Sequence, residues 1–207
     1  MENNIELSTE QLILKVAERL FLEKGFAMTS TTEIAKEVGC NQALVHYYFR
    51  TKDNLFNVIF ENKFKAFFQH IFQFYKLENL PFQEKLKFMI ESHFDMIKEN
   101  PKLPLLILNE MTRQPKQLKL LREKLHGIPE QLFGQLNEEL DAEIAAGRIR
   151  QVNLMDLIAT MVSLNVSLFL LMPVAAEAIP LTNSQKEMMY QHRRIEHVNI
   201  ILNHLKP

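Results

Sequence analysis

The chain has 207 residues, of which 47% are hydrophobic and 24% charged, and its formal net charge is −1. This composition indicates a globular protein large enough for a sizeable core, excludes a disordered chain, and gives no sign of nucleic-acid binding. Its one cysteine, Cys40, cannot form an internal disulfide, and the start at Met1 lacks the basic and apolar pattern of a signal peptide, so we expect a cytoplasmic protein.

Three helices are predicted in the first 50 residues. Helix 1 begins after Ser8, which opens the capping pattern S-x-x-Q, and it ends at Gly25. Helix 2 begins after Ser30, which opens a similar pattern with glutamate, and it ends at Gly39. Asn41 is a good N-cap for helix 3. Helices 2 and 3 are therefore separated by a tight turn of three residues.

The spacing of Ala35, Gly39 and Val45 predicts a helix-turn-helix. A small residue lets two helices touch, a glycine supplies the positive φ of the turn, and a β-branched residue fills the core beneath helix 3. Helix 3 would then project from a compact base and enter a DNA major groove. Its buried side is predicted to be Leu44, Val45, Tyr48 and Phe49, and its outward side Gln42, Ala43, His46 and Tyr47.

The rest of the chain is also predicted to be helical, because no segment shows the alternation of a strand. Helix 4 begins at Thr51 and continues through Phe72. Later helices are expected at about 82–100, at 105–111, from Pro115 to Ala146 with a break at Gly127 and Pro129, at 153–172 with an end at Pro173, and from Thr182 or Ser184 to Lys206. The apolar run 157–172 has 16 residues, whereas a membrane span needs about 20, so we predict a buried helix and no membrane contact.

Residues 8–60 contain several short motifs: G-F at 25–26, T-S-T-T-E-I-A at 29–35, the turn at 39–41, V-H-Y-Y-F at 45–49 and T-K-D-N-L at 51–55. Together these motifs resemble the TetR family of bacterial transcriptional regulators. The resemblance implies an all-α fold with an N-terminal three-helix helix-turn-helix DNA-binding domain (residues 1–55). A long helix would join it to a C-terminal helical bundle for ligand binding and dimerisation (residues 56–207). The family usually has serine where Asn41 stands and tyrosine where His46 stands.

Residue chemistry and the resemblance together predict the DNA contacts. The first turn of helix 2 offers hydroxyls and backbone N–H groups to phosphate, and Gln42 can make a bidentate pair with adenine. The resemblance implies that Lys52 points toward the DNA backbone. The predicted contacts are Thr31, Thr32, Asn41, Gln42, Ala43, His46, Tyr47 and Lys52. Residues 1–62 carry six Lys or Arg against nine Asp or Glu, a net charge of −3, so any positive surface must be local.

The C-terminal part is expected to bind a small effector. Aromatic and methionine residues of the middle helices suit an adaptable apolar pocket, although such residues also fill ordinary cores. The resemblance implies that the effector releases DNA, and the residue types favour an apolar or amphipathic one. The candidate ligand contacts are Phe64, Phe68, Met89, His93, Met96 and Met111.

The last two helices are expected to form a homodimer. Small residues recur every four positions in the apolar helix, and apolar residues recur every seven in the last one, as is typical of a helix bundle. The candidate dimer contacts are Ala159, Ser163, Ser167, Ile195, Val198 and Leu202. The same stripes could instead close the protomer's own core. Family resemblance favours the dimer, because two reading helices are needed for a palindrome.

An enzyme and a protein-binding adaptor are the competing interpretations. The sequence has no G-x-S-x-G, P-loop, H-E-x-x-H or Cys/His cluster, and its histidines are scattered, so we expect no catalysis, metal or cofactor. The acidic N-terminal part leaves open a helical adaptor with a vestigial helix-turn-helix and no operator. We favour a ligand-responsive repressor that binds a palindromic double-stranded DNA operator as a homodimer.

Overall fold

The computed structural model describes residues 7–75, 80–113, 123 and 127–207, the side chains of 72–75 and 110–113 excepted. The helices in this part of the chain are α1 (Thr9–Lys24), α2 (Thr31–Val38), α3 (Gln42–Phe49), α4 (Lys52–Tyr75), α5 (Phe82–Glu99), α6 (Leu103–Arg113), α7 (Ile128–Ala145), α8 (Leu154–Ala178) and α9 (Asn183–His204). The same residues contain no strand, and the predicted all-α fold is confirmed.

The predicted caps begin the three N-terminal helices. Ser8 takes part in the predicted capping box of α1. Ser30 Oγ accepts from the backbone N–H of Glu33 at 3.1 Å, and Asn41 Oδ1 accepts from that of Ala43 at 2.9 Å. Each of these bonds satisfies an N–H group that has no acceptor inside its own helix. The starts of α1, α2 and α3 are therefore set by local side-chain chemistry.

The predicted end of the apolar helix at Pro173 is wrong, because α8 continues through this proline to Ala178. Residues 174–178 are three alanines, a valine and a glutamate, and alanine and glutamate favour a helix strongly enough to tolerate the one hydrogen bond that proline lacks. The helix ends at Ile179, whose backbone is extended at φ −132° and ψ 100°. Pro180 follows and disfavours the helical region for the residue before it.

The predicted helical stretch from Pro115 falls mostly outside the described residues. Its last part is α7, which begins after Gly127 and is followed by Ala146, where the predicted helix ends. Gly127 and Gly147 have φ values of 73° and 69°. Glycine adopts this left-handed backbone without the steric cost that other residues carry, so the two glycines delimit α7.

The chain divides into two compact units, Met1–Phe64 with Leu105–Leu125, and Lys65–Pro104 with His126–Pro207. In the first unit α1, α2 and α3 pack against one another. Phe56 of α4 is buried there, with its ring centroid 5.5 Å from that of Phe21 and 5.0 Å from that of Phe26. These three rings hold the beginning of α4 against α1 and the loop that follows it.

The second unit has a larger apolar core to which α5, α7, α8 and α9 contribute. Its buried residues include Leu86, Met89, Ile90, Leu132, Leu136, Leu140, Leu157, Met161, Val198 and Ile201. Only one side of α8 is buried, so the prediction of a buried helix is correct for that side alone. By length and composition α8 could also cross a membrane, with a mean hydropathy of 2.1, but core helices of soluble proteins meet the same criteria.

A polar network lies inside this second core. Asn165 of α8 is fully buried, and its Nδ2 donates to the Ile90 carbonyl and to His93 Nδ1 of α5, each at 3.0 Å. Its Oδ1 accepts from His197 Nδ1 of α9 at 2.7 Å. Burial lowers the pKa of His93 and of His197 from 6.5 to about 4, so both imidazoles are neutral at pH 7. Three helices are thus joined through one amide.

Candidate nucleic-acid interface

The turn between α2 and α3 places α3 on the surface of the first unit. Gly39 has φ 77° and ψ 26°, the left-handed conformation that the turn requires. Beneath the turn, Ile34 and Ala35 of α2 and Val45 and Phe49 of α3 are buried. Because Val45 and Phe49 are four residues apart, one side of α3 is fixed on the core and the other faces outward. The predicted helix-turn-helix is confirmed.

Two residues predicted for the buried side of α3 are not buried. Leu44 and Tyr48 are each 39% exposed, so this prediction is wrong. The inward direction of this two-turn helix is set by Val45 and Phe49. A residue one position before each of them lies about 100° round the helix, at the edge of the contact.

The structure brings the predicted DNA contacts together around α3. Tyr47 is 78% exposed, and its ring lies edge-on to that of Tyr48, with the ring centroids 5.3 Å apart. Thr32, Asn41, Ala43 and His46 are also exposed, and Thr31, Gln42 and Lys52 are half-buried. The outward face therefore contains a large aromatic ring beside several polar groups, which is an arrangement suited to a polar groove.

A continuous chain of hydrogen bonds links α2 to the end of α3. Gln42 Nε2 lies 3.1 Å from Thr31 Oγ1 and 3.3 Å from His46 Nε2. His46 Nδ1 lies 3.0 Å from the carbonyl oxygen of Arg50. The spacing of Gln42 and His46, four residues apart on one helix, is the signal in the sequence that predicts their contact. These bonds restrict the orientation of both side chains before any partner is present.

Arg50 directs its carbonyl at His46 through an unusual backbone conformation. It is the residue after α3, and it has φ 60° and ψ −51°, whereas the other positive φ values in the described chain belong to glycines. Its backbone N–H donates to the His46 carbonyl at 2.8 Å. Positive φ costs a residue with a side chain about 1–3 kcal/mol, so the surrounding contacts hold this geometry. Nothing in the residue type signals it in the sequence.

Substituting Arg50→Gly should stabilise the first unit relative to Arg50→Ala. Both changes remove the guanidinium, and only glycine accepts the positive φ without strain, so we expect a difference of about 1 kcal/mol in the free energy of unfolding. Urea denaturation of the two variants measures it. Equal stability of the glycine and alanine variants would show that the backbone at this position is relaxed.

Lys52 has internal partners as well as a predicted DNA contact. Its Nζ donates to the carbonyl oxygens of Phe26 and Thr29, each at 2.9 Å, and lies 4.3 Å from the centroid of the Phe26 ring. An ammonium group has three N–H donors, so two hold the loop before α2 and one is left for a phosphate. The position of Lys52 next to the N-terminus of α2 is compatible with both roles.

Ion pairs on α1, α2 and α4 account for much of the acidic charge of the first unit. Arg19 pairs with Glu23 and Glu37, Lys24 pairs with Glu33, and Lys63 pairs with Glu18 at 2.7 Å. The hydrogen bond from Lys24 is the main reason that the pKa of Glu33 is lowered from 4.5. Within the described part of the chain, Lys36 and Arg50 form no ion pair, and both residues are exposed.

The predicted ligand contacts lie in different surroundings. Met89 is buried in the core of the second unit, Phe68 packs against that core, and His93 belongs to the Asn165 network. Phe64 and Met96 are half-buried, and Met111 falls among the residues whose side chains are not described. A surface pocket of about 620 Å³ in the second unit is lined by none of these residues. Most of its lining residues are polar, and they include Asn137, Asp141, Arg150, Asp156, Thr160 and His204.

The predicted dimer contacts on α8 are exposed. Ala159, Ser163 and Ser167 form one surface stripe, with the exposed apolar residues Met155, Val162, Leu171 and Val174 on the same helix. On α9, Ile195 is exposed, Leu202 is half-buried, and Val198 is buried in the protomer's own core. Apolar residues grouped in this way on a surface are typical of a protein interface.

A compact three-helix unit with an outward-facing third helix defines a helix-turn-helix DNA-binding protein. The sequence model described as "Bacterial regulatory proteins, tetR family" matches residues 13–59. Residues 13–59 therefore form a helix-turn-helix of the TetR family type, and the similar proteins are transcription regulators, which are not enzymes.

Similar proteins are found over the N-terminal unit and over the whole chain. The fatty acid metabolism regulator protein of Bacillus subtilis is 24% identical over 67% of this chain and 70% of its own length. The regulator AcrR of Shigella flexneri is 43% identical over 26% of this chain and 25% of its own length. A solved tetR-family protein from Rhodococcus RHA1 has a TM-score of 0.73 and 14% identity, covering 97% of this chain and 98% of its own. The last likeness shows the fold alone.

Proposed function

We propose that the protein is a cytoplasmic repressor that binds a palindromic DNA operator as a homodimer and leaves it when an apolar or amphipathic effector binds. The observation that carries the proposal is the rigid outward face of α3, fixed by Val45 and Phe49 below and by the hydrogen bonds of Gln42 and His46 at the surface. Residues 1–55 would form the DNA-binding domain, and 56–207 the domain for effector binding and dimerisation.

The helix termini and the exposed side chains would make different kinds of contact with DNA. The N-terminus of α2, with Thr31 and Thr32, offers backbone N–H groups and hydroxyls to a phosphate. Lys52 adds a cation nearby, and Arg50 is exposed at the other end of α3. Gln42, Ala43 and Tyr47 would contact the bases or sugars in the major groove. Phosphate contacts fix the register of the protein, and base contacts give its specificity.

The exposed stripe of α8 supports the homodimer. Ala159, Ser163 and Ser167 are small, and small residues at every fourth position let two helices approach closely. Ile195 of α9 lies exposed and would extend the contact. A symmetric pair presents two copies of α3, and two reading helices about one DNA turn apart match a palindrome.

The effector is proposed from the residue types and from one relative. The Bacillus subtilis relative is a fatty acid metabolism regulator protein. The residues proposed to contact the effector, Phe64, Phe68, Met89, His93, Met96 and Met111, are mostly aromatic or sulfur-containing and would suit an acyl chain. Such a ligand releases DNA only if it binds the DNA-free arrangement more tightly than the DNA-bound one.

Binding of the protein to the DNA upstream of its own gene tests the proposal, with Tyr47→Ala as the diagnostic variant. We expect a footprint in two symmetric halves and about a tenfold loss of affinity in the variant, because its exposed ring contributes no buried contact within the unit. Lys15→Ala, a change of an exposed residue on α1, is the control and should bind as the unchanged protein does. Full affinity of Tyr47→Ala would remove α3 from the interface.

The effector is tested in the same assay. A long-chain fatty acid and its coenzyme A ester are added to the preformed complex, and the fraction of bound DNA is measured together with the melting temperature of the free protein. The proposed ligand class predicts release of DNA and a higher melting temperature for at least one of the two. Stabilisation by polar, strongly charged compounds alone would contradict the class.

A further inference from the structure

The hydrogen-bonding partners of His46 determine which of its nitrogens carries the proton. The carbonyl oxygen of Arg50 can only accept, so His46 Nδ1, at 3.0 Å from it, must donate. In a neutral imidazole the other nitrogen then has a lone pair and can only accept. His46 Nε2 therefore presents an acceptor to Gln42, four residues earlier on the same face of α3.

The orientation of the Gln42 amide follows from this tautomer. The amide group nearest to His46 Nε2 must be a donor, and the structure places Gln42 Nε2 there, at 3.3 Å. The same nitrogen lies 3.1 Å from Thr31 Oγ1. An amide nitrogen has two hydrogens, and both are now directed at partners within the protein. Only the amide oxygen, Oε1, is left to contact a base.

We propose that Gln42 reads DNA through its oxygen alone, and that His46 is the positioning residue that imposes this. An oxygen accepts a hydrogen bond from the amino group of adenine or cytosine in the major groove. Guanine and thymine present acceptors there and are rejected by an acceptor. The inference rests on the proposed function, because α3 must lie in the major groove.

A base contact through the oxygen of Gln42 alone differs from the bidentate pair with adenine that the sequence predicts for this residue. A bidentate pair needs a free amide N–H as well as the oxygen, and it selects adenine over cytosine. In the structure both N–H groups of the Gln42 amide are directed at partners within the protein, one at Thr31 and one at His46. The Thr31 hydroxyl accepts from Gln42 and keeps its own hydrogen for a phosphate, so the phosphate contact and the base contact are coupled through one side chain.

Selection of operator sequences from a randomised DNA library tests the proposal with four forms of the full-length protein: unchanged, Gln42→Ala, Gln42→Glu and His46→Phe. The position read by Gln42 is the one whose preference disappears in Gln42→Ala. At that position we expect the unchanged protein to favour adenine or cytosine over guanine or thymine by about tenfold. Gln42→Glu, which has only acceptor oxygens, should keep the same order of bases.

His46→Phe separates positioning from a purely structural role. Phenylalanine keeps an aromatic ring at this position but has no nitrogen to accept a hydrogen bond from Gln42. The amide of Gln42 can then present either its oxygen or its nitrogen to the groove. We expect the preference at the Gln42 position to flatten to about twofold, with preferences at the other operator positions unchanged. Thermal unfolding of each variant checks that the first unit is still folded.

Several results would overturn the proposal. They are a preference of the unchanged protein for guanine or thymine at that position, a change from adenine to cytosine in Gln42→Glu, an undiminished preference in His46→Phe, or no position that depends on Gln42. Each of these leaves the helix-turn-helix as a DNA reader. Failure of the unchanged protein to select any DNA sequence is a different outcome, because it removes the proposed function itself along with this inference.

Discussion

Ser163→Arg should convert the protein to a monomer and reduce its operator affinity at least a hundredfold. The side chain of Ser163 is exposed in the protomer, between Ala159 and Ser167 on the stripe where a second copy of α8 is proposed to pack. An arginine there would have to bury a charge with no partner, which costs about 3–5 kcal/mol. A symmetric dimer contains the change twice, so the interface should not form.

The measurements are the molar mass in solution by light scattering and the operator affinity by gel shift. A dimer contacts both half-sites of the operator at once, whereas a monomer contacts only one. Losing the second contact should lower the operator affinity by about 10²–10⁴-fold. Gln135→Arg places the same charge on an exposed position of α7 and is the control. A dimeric Ser163→Arg variant with unchanged affinity would move the interface away from α8.

The sequence predicted the parts of the fold that local chemistry determines. Ser30 and Asn41 cap their helices by bonds to N–H groups two or three residues away, and Gly39 supplies the positive φ of the turn. These contacts need no knowledge of the rest of the chain. The end predicted for α8 is wrong because the helix-forming residues after Pro173 outweigh the tendency of proline to end a helix.

Features that depend on distant residues could not be predicted. The partners of Lys52 are carbonyl groups more than 20 positions earlier in the chain, and Arg50 has a positive φ that its residue type does not favour. In the sequence Asn165 is merely a polar interruption of an apolar run. Its role becomes visible when α5, α8 and α9 bring two histidines to its amide.

The two histidines that bond to the Asn165 amide also make the stability of the second unit depend on pH. His93 and His197 each have a pKa of about 4 in the folded protein, lowered from 6.5 mainly by burial; for His197 the nearby Arg193 lowers it further, whereas Glu196 opposes the change. In the unfolded chain both histidines take up a proton as the pH falls through about 6.5. The unfolded state therefore binds more protons between about pH 6.5 and 4, and acid favours it.

We expect the free energy of unfolding to be constant above about pH 7 and to fall as the pH is lowered, by up to about 1.4 kcal/mol per pH unit for each histidine. Urea denaturation between pH 7.5 and 5.5 measures the slope before most carboxylates titrate. Arg194 of α9 also pairs with Glu91 and Asp95 of α5.

His93→Gln separates the contribution of one histidine from that of the other. The glutamine oxygen can accept the hydrogen bond that Asn165 Nδ2 gives to His93 Nδ1, and it does not titrate. The slope should therefore fall to about half, while stability at pH 7.5 changes little. His192→Gln removes an exposed histidine from α9 and should leave the slope unchanged. A full slope in His93→Gln would mean that His93 takes up its proton equally in the folded and the unfolded protein, because a group that binds the same number of protons in both states contributes nothing to the pH dependence.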